Sequence, residues 1–397
     1  MISLPFRNPA FRQPPRAAPE DPGARSGGRR KTATLFLAGD VMTGRGIDQI
    51  LPHPGDPRLF EGYLSSATDY VGLAESANGP IAKPVDFAYV WGDALEELAR
   101  YRPDRRIINL ETAVTRSDDA EPKGINYRMN PANLPVLTAA AIDCCVLANN
   151  HVLDWGRAGL LETLTSLDAA GLRTAGAGRT LREAAAPALL PLAGGGRVIV
   201  VALGSASSGI PRWWGAKARE PGINLLPDLS PGTVAELAES VRAAKRPGDI
   251  VVASIHWGGN WGYEIPRAQI DFAHGLIEQA GVDIVHGHSS HHPKAIEVHR
   301  GRLVLYGCGD LLNDYEGIGG YEAYRGDLTL MYLPTIETST GALVGLTLVP
   351  LRIRNFQLHR ADGEDAAWLS AMLNREGRRF ATGVRTAADG SLRLVWG

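Results

Sequence analysis

The chain has 397 residues, 44% hydrophobic and 21% charged, an ordinary balance for a soluble globular protein with material for a sizeable core. Its 41 basic residues stand against 43 acidic ones, a formal net charge of −2, so no chain-wide positive field exists to hold a polyanion, and nucleic acid is excluded as the default partner. Cys144 and Cys145 are adjacent in an apolar run and Cys308 stands alone, which excludes a disulfide framework and reads as buried free thiols of a reducing compartment.

Residues 1–31 are rich in Pro, Arg and Gly without a continuous apolar stretch, and are expected to form a disordered basic tail that carries no secretion signal. No apolar run reaches the roughly 18 residues that span a bilayer, which leads to the expectation of a cytoplasmic protein with no membrane partner. From Thr32 onward short apolar runs alternate with amphipathic stretches. Strands are predicted over 34–38, 106–110, 144–147, 197–203, 250–255 and 283–285, and helices over 91–101, 131–140, 158–170, 232–245 and 266–280. Arg300-Gly301 between 296–299 and 303–306, and residues 338–341 between 328–337 and 342–351, mark two hairpins. The class is therefore α/β with antiparallel pairs in the second half. Residues 352–397, with one helix from Glu364 to about Asn374, are expected as an extension packed on a main domain of residues 32–351.

Chemistry-bearing residues recur just after the predicted strands, at the sheet edge where loops of an α/β fold converge on a site. Asp40 follows the first strand, Asn109 and Glu111 end the second, and Asn149, Asn150 and His151 end the third. Of the ten histidines, His256 closes one later strand, and His286, His288, His291 and His292 close the next. Asp40, Glu111, Asn150, His256, His288 and His291 together make a mixed oxygen and nitrogen donor set without sulfur. That set suits one or two divalent cations such as Mn²⁺, Fe²⁺ or Zn²⁺. Glu111 is the best carboxylate to bridge two of them. His53, His274, His299 and His359 are isolated and read as ordinary hydrogen-bonded histidines.

If Asn150 gives its oxygen to a cation, His151 lies beside it, free to protonate a leaving group; the competing use of this Asn is a helix N-cap. Arg45, in the Gly-rich turn around Asp40, and Arg128 are candidates to hold an anionic substrate group, with structural ion pairing as the alternative for both. The turn lacks the spacing and the Lys-Ser/Thr ending of a phosphate loop, so no nucleotide cofactor is expected. Asn109 and Trp257 complete the candidate substrate contacts. Trp257 to Trp261 form an aromatic loop suited to walling a cleft, whereas Trp213 and Trp214 read as packing.

Gly39-Asp40-Val41-Met42 through Arg45, Asn109-Leu110-Glu111, Asn149-Asn150-His151, His256-Trp257-Gly258 and Gly287-His288 with His291 resemble the ordered motifs of the CapA family of poly-γ-glutamate capsule synthesis proteins. That family itself resembles the calcineurin-like metallophosphoesterases. The resemblance runs from about Thr34 to Asp314. It implies a four-layer α/β/β/α sandwich of two mixed sheets with a dinuclear site at one edge. Asp40 and His291 would hold one metal, Asn150, His256 and His288 the other, Glu111 would bridge them, and His151 would be the acid. Met42 stands where the metallophosphoesterase pattern has a His, which implies one metal position short of a ligand. Glu111 replaces the usual bridging Asp, and the His288–His291 spacing is one residue wider than usual. The expected activity is that of a metal-dependent hydrolase or acyl-transfer enzyme acting on a small, peptide-like (γ-glutamyl) or phosphoester substrate. The alternative is a non-catalytic metal-binding component of a capsule-polymer complex.

Overall fold

In a strand successive side chains face opposite ways, so a strand covered on both sides reads as a continuous apolar run. Thr32–Val41 is such a strand. Leu35 and Leu37 pack with Val198, Val200, Ile250 and Val252 of a second sheet, while Phe36 and Ala38 pack with helix residues Leu98, Leu137, Leu160 and Leu164. In the second sheet Ile199, Val201 and Leu203 turn away from that shared core, toward Val234, Val241, Phe272 and Leu276 of two further helices. The computed structural model, which describes residues 31–397, is thus a four-layer α/β/β/α sandwich. The expected tail, apart from Lys31, lies outside the described residues.

The first sheet runs in the order Thr382–Thr386, Leu392–Trp396, Leu343–Arg354, Leu328–Glu337, Thr32–Val41, Arg105–Leu110, Cys144–Val146, Arg173–Ala175. Its last four strands are parallel and its earlier neighbours antiparallel. The second sheet runs Ile296–His299, Arg302–Leu305, Ile284–His288, Ile250–His256, Arg197–Gly204, Ala188–Pro191, antiparallel at both edges and parallel between. Residues beyond 354 add the short strand Gln357–Arg360, the helix Gly363–Gly377 and a hairpin whose Leu392 pairs with Leu348, so the end of the chain extends the first sheet. Among the described residues, no helix is long and apolar enough to cross a membrane.

Both expected hairpins form, the first with Arg300 and Gly301 at φ 49 and 73, the left-handed pair that a two-residue turn requires. The predicted helix over 131–140 is instead a turn, Pro131–Asn133, followed by the short helix Pro135–Ala139, because Pro135 cannot donate to a continuing helix. Helix Ala67–Asn78 escaped the periodicity reading because it is only weakly amphipathic. Its signal was the capping box of Ser66 with Asp69.

Two contacts between the sheets and one added strand of the first sheet build the edge that carries the predicted site. His286 Nε2 lies 2.9 Å from the carbonyl of Ala38, Ser289 N–H donates to Asp40 Oδ2 at 3.1 Å, and the strand Asp310–Leu312 pairs in parallel with Thr32–Val41, setting Asp310 opposite Asp40. This approach leaves no room at Gly39, where a Cβ would stand 1.9 Å from the carbonyl oxygen of Gly309. Gly39→Ala is therefore expected to lower stability in urea unfolding by about 1–3 kcal/mol, the usual cost of overpacking. Gly72→Ala, in an exposed helix position with nothing within 4 Å, should be neutral or stabilising.

Candidate metal centre

Asp40, His256 and His288 occupy the ends of the parallel strands Thr32–Val41, Ile250–His256 and Ile284–His288, while Glu111 and Asn150 follow Arg105–Leu110 and Cys144–Val146. The protonation of the histidines follows from what they touch. The Ala38 carbonyl only accepts, so His286 carries its proton on Nε2, and its Nδ1 accepts from Ser254 Oγ at 3.0 Å. Ser254 Oγ, its proton given away, accepts from His288 Nε2 at 3.0 Å, which leaves the His288 lone pair on Nδ1. On the far side His256 Nε2 donates to Asn150 Oδ1 at 2.9 Å, leaving the His256 lone pair also on Nδ1.

Those two Nδ1 atoms stand 2.8 Å apart, with Asp40 Oδ1 at 3.9 and 3.8 Å. Burial pushes both imidazoles well below their ordinary pKa, so neither relieves the contact by taking a proton. Ligands about 2.1 Å from one cation at right angles stand roughly 3 Å apart. The two nitrogens stand near that spacing and Asp40 stands wider, as ligands at an obtuse angle do, so the group is compatible with a divalent ion. Asp40, His256 and His288 form one such group, and Asp40, His291 and Asp310 form a second.

The carboxylates lead to the same conclusion. Burial, then the neighbouring Asp310, raises Asp40 to about 7, and burial with Asp40 and Asp310 drives Glu111 far above the carboxylate range. Glu111 Oε1 lies 3.6 Å from His256 Nε2. His291 Nδ1 is 2.9 Å from Asp310 Oδ1, and although burial opposes its charge, Asp310 and Asp40 raise its pKa. Three buried carboxylates crowded together lack positive charge, which a metal would supply.

Two expectations change here. Asp40, shared by both groups, is a bridging candidate alongside Glu111. At the position expected to lack a ligand, Asp310 is a further candidate donor, which no motif pointed to because it lies on a three-residue strand. Met42 is buried in the core.

A cavity of about 940 Å³ opens beside the cluster, lined among others by Asn150, His151, His291, Lys123, Trp261 and Tyr315. His151 stacks on Tyr127 at 3.8 Å, and its Nδ1 meets Asp154 Oδ2 at 2.6 Å, so the proton sits on Nδ1 and Nε2 carries the lone pair. Burial, only partly offset by Asp154, lowers the His151 pKa to about 4. Lys123 bridges Asp154, at 2.7 Å, and the carbonyl of Asn150. Neither Lys123 nor the role of Asp154 stood out in the sequence, where each is one ordinary charge in a polar loop.

The other predicted site residues are placed differently. Four N–H groups of Arg45 are spent on Asp314, Glu61 and Tyr70, so it braces one wall of the cavity instead of facing a substrate with open donors. Asn109 donates to Asp40 Oδ1 at 2.7 Å and accepts from Asn149, which orients the carboxylate from behind. Arg128 lies over the Trp155 ring and bonds Ser117, Asp118 and Asp56, away from the cavity. The Trp257 indole is in the core against Phe272 and Tyr306 and donates to the Tyr306 carbonyl; Trp261 supplies the aromatic wall. Burial makes Trp257 a packing residue and ion pairing makes Arg128 a structural one, the alternatives that spacing alone could not separate.

Residues 34–315 match the family model described as Bacterial capsule synthesis protein PGA_cap. A probable polyglutamine synthesis accessory protein of Mycobacterium tuberculosis is 47% identical over 370 residues, 93% of this chain and 97% of that protein. The PGA biosynthesis protein CapA of Bacillus subtilis is 25% identical over 281 residues, 70% of this chain and 62% of its own length. A solved phosphatase structure from Mycoplasma pneumoniae, covering 85% of this chain and 98% of its own, has 11% identity and a TM-score of 0.45, a likeness too distant to carry a function.

Asp310→Asn keeps the shape and removes the charge. It is expected to weaken Mn²⁺ binding at least about 10–100-fold in calorimetric titration of the metal-stripped protein; unchanged affinity would remove Asp310 from the donor set.

Proposed function

The chain belongs to the bacterial capsule synthesis protein family PGA_cap, and from that premise we propose that it is a metal-dependent hydrolase or acyl-transfer enzyme. Asp40, Glu111, Asn150, His256, His288, His291 and Asp310 would hold one or two divalent cations, of the Mn²⁺, Fe²⁺ or Zn²⁺ class. When bound, such cations lower the pKa of a coordinated water toward neutrality and polarise a phosphoryl or carbonyl oxygen. The observation that supports the reading is the adjacency of this donor set to the His151–Asp154 pair at the wall of an open cavity.

The chain's own residues then have distinct tasks. Asp154 holds the His151 proton on Nδ1, so Nε2 is the atom that would take a proton from the attacking water and pass it to the departing group. Lys123 anchors Asp154 and adds positive charge beside that ring, which favours an anionic group there. Asn109 fixes the rotamer of Asp40, and Tyr127 keeps the imidazole plane in place by stacking. The substrate class is an amide of the γ-glutamyl kind, in line with the polymer named for the relatives, or a phosphoester. The second reading is a non-catalytic metal-binding component of a polymer-synthesis complex, favoured by the word accessory in the name of the relative at 47% identity.

His151→Ala, with metal content unchanged, is expected to lower kcat about 10²–10⁴-fold, the usual worth of a positioned acid–base group, on whichever of a γ-glutamyl anilide or an aryl phosphodiester is turned over. The assay is run with Mn²⁺, Fe²⁺ and Zn²⁺ in turn. No turnover of either substrate with any of the three, by a protein that binds the metals, would favour the accessory role.

A further inference from the structure

Away from the strand ends just described, three side chains converge on the opposite edge of the second sheet. His274 lies on the outer helix Arg267–Glu278, and Glu297 and His299 lie on the edge strand Ile296–His299. His299 pairs with Arg302 at the beginning of Arg302–Leu305, whose Leu303 faces Ile284 at the start of Ile284–His288, whereas His288 of the first cluster ends that strand. The two sites therefore lie toward opposite ends of the same strands. From the sequence, these two histidines read as isolated.

We propose that His274, Glu297 and His299 form a second, separate site for a borderline transition metal of the Zn²⁺ type. One donor atom from each lies within 4.8 Å of the others. His274 Nε2 is 3.0 Å from Glu297 Oε1, and His299 Nδ1 is 4.0 Å from the same oxygen. Donors around one tetrahedral zinc, at bonds of about 2.0 Å, stand roughly 3.3 Å apart, so these spacings bracket what the ion needs. The rings now stack in parallel, with centroids 3.6 Å apart at 7°. Rotation about their terminal torsions, which are soft, would turn both lone pairs toward Glu297.

The surroundings favour a ligand over a simple hydrogen-bonded pair. Tyr306 O–H donates to Glu297 Oε2 at 2.6 Å and fixes the carboxylate, both of whose oxygens lie 3.0 Å from His274 Nε2, the supporting contact that metal-binding carboxylates commonly have. His299 Nε2 donates to Glu278 Oε1 at 2.7 Å, a carboxylate also paired with Arg300, which leaves the His299 lone pair on Nδ1, the nitrogen on the Glu297 side. Each imidazole side chain keeps about a fifth to a quarter of its surface exposed, 26% for His274 and 19% for His299, so an ion can enter from solvent. Two nitrogens and a carboxylate without sulfur match the zinc preference, with water to complete the coordination. The bound ion would tie the outer helix to the edge strand, and no catalytic step is assigned to it.

The test is equilibrium dialysis of the full chain against buffered ZnCl₂, with zinc counted per chain. His274→Ala/His299→Ala, both partly exposed positions, should bind one zinc fewer than the unaltered protein. Conversely, His256→Ala/His288→Ala should retain at least one zinc, and adding His274→Ala/His299→Ala to that variant should remove one more. Equal zinc counts for the unaltered chain and His274→Ala/His299→Ala would overturn the proposal, as would a His256→Ala/His288→Ala variant that is folded by circular dichroism and binds none. The outcome is independent of the first centre: were that centre empty, the unaltered chain would bind one zinc and the His274→Ala/His299→Ala chain none.

Discussion

Negative charge forced together in a dry place is the constraint on which the rest of this structure depends. Asp40, Glu111 and Asp310 are all buried beside one another, and burial drives Asp40 and Glu111 toward their protonated forms. A protein that only needed a stable core would fill such a site with apolar groups, because a buried carboxylate without a counter-charge is costly. Positive charge from the chain is sparse here: His291 leans on Asp310, and Lys123 is engaged with Asp154. A divalent cation among them would make the arrangement favourable.

The histidine relay makes the same demand from the nitrogen side. The series Ala38 carbonyl, His286, Ser254, His288 fixes each proton in turn and ends with a lone pair aimed at the lone pair of His256. The first link is also a joint between the two sheets, so the contact that aligns the sandwich orients the donor set. This explains why a glycine stands at position 39, where the sheets approach closely. A Cβ at Gly39 would strike the Gly309 carbonyl. Fold and site are one construction at this edge.

Much of the scaffold was legible from periodicity. Fully buried parallel strands such as Ile250–His256 are continuous apolar runs, and their ends mark where polar residues gather, which located Asp40, Glu111, Asn150, His256 and His288. Asp310 was not legible. Its strand has three residues, and its place beside Asp40 comes from a pairing some 270 positions distant in the chain. Side-chain roles were the other gap. Trp257, Arg128 and Asn109 occur in motifs next to the site, yet a one-residue offset along a strand turns a side chain to the other face. Their partners, the Tyr306 carbonyl, Asp118 with the Trp155 ring, and Asp40 itself, are visible only in three dimensions. The pairing of His274 with His299 was hidden for the same reason, since one lies on a helix and the other on a strand.

The most direct measurement of the central claim is anomalous diffraction from crystals grown with Mn²⁺, recorded on the high-energy side of the manganese absorption edge. The account predicts an anomalous peak enclosed by Asp40, His256 and His288, with His256 and His288 ligating through Nδ1, and further density, where a second ion is held, between Asp40, His291 and Asp310. A difference map with no peak among these residues at saturating Mn²⁺, with the two imidazoles still in contact, would contradict it.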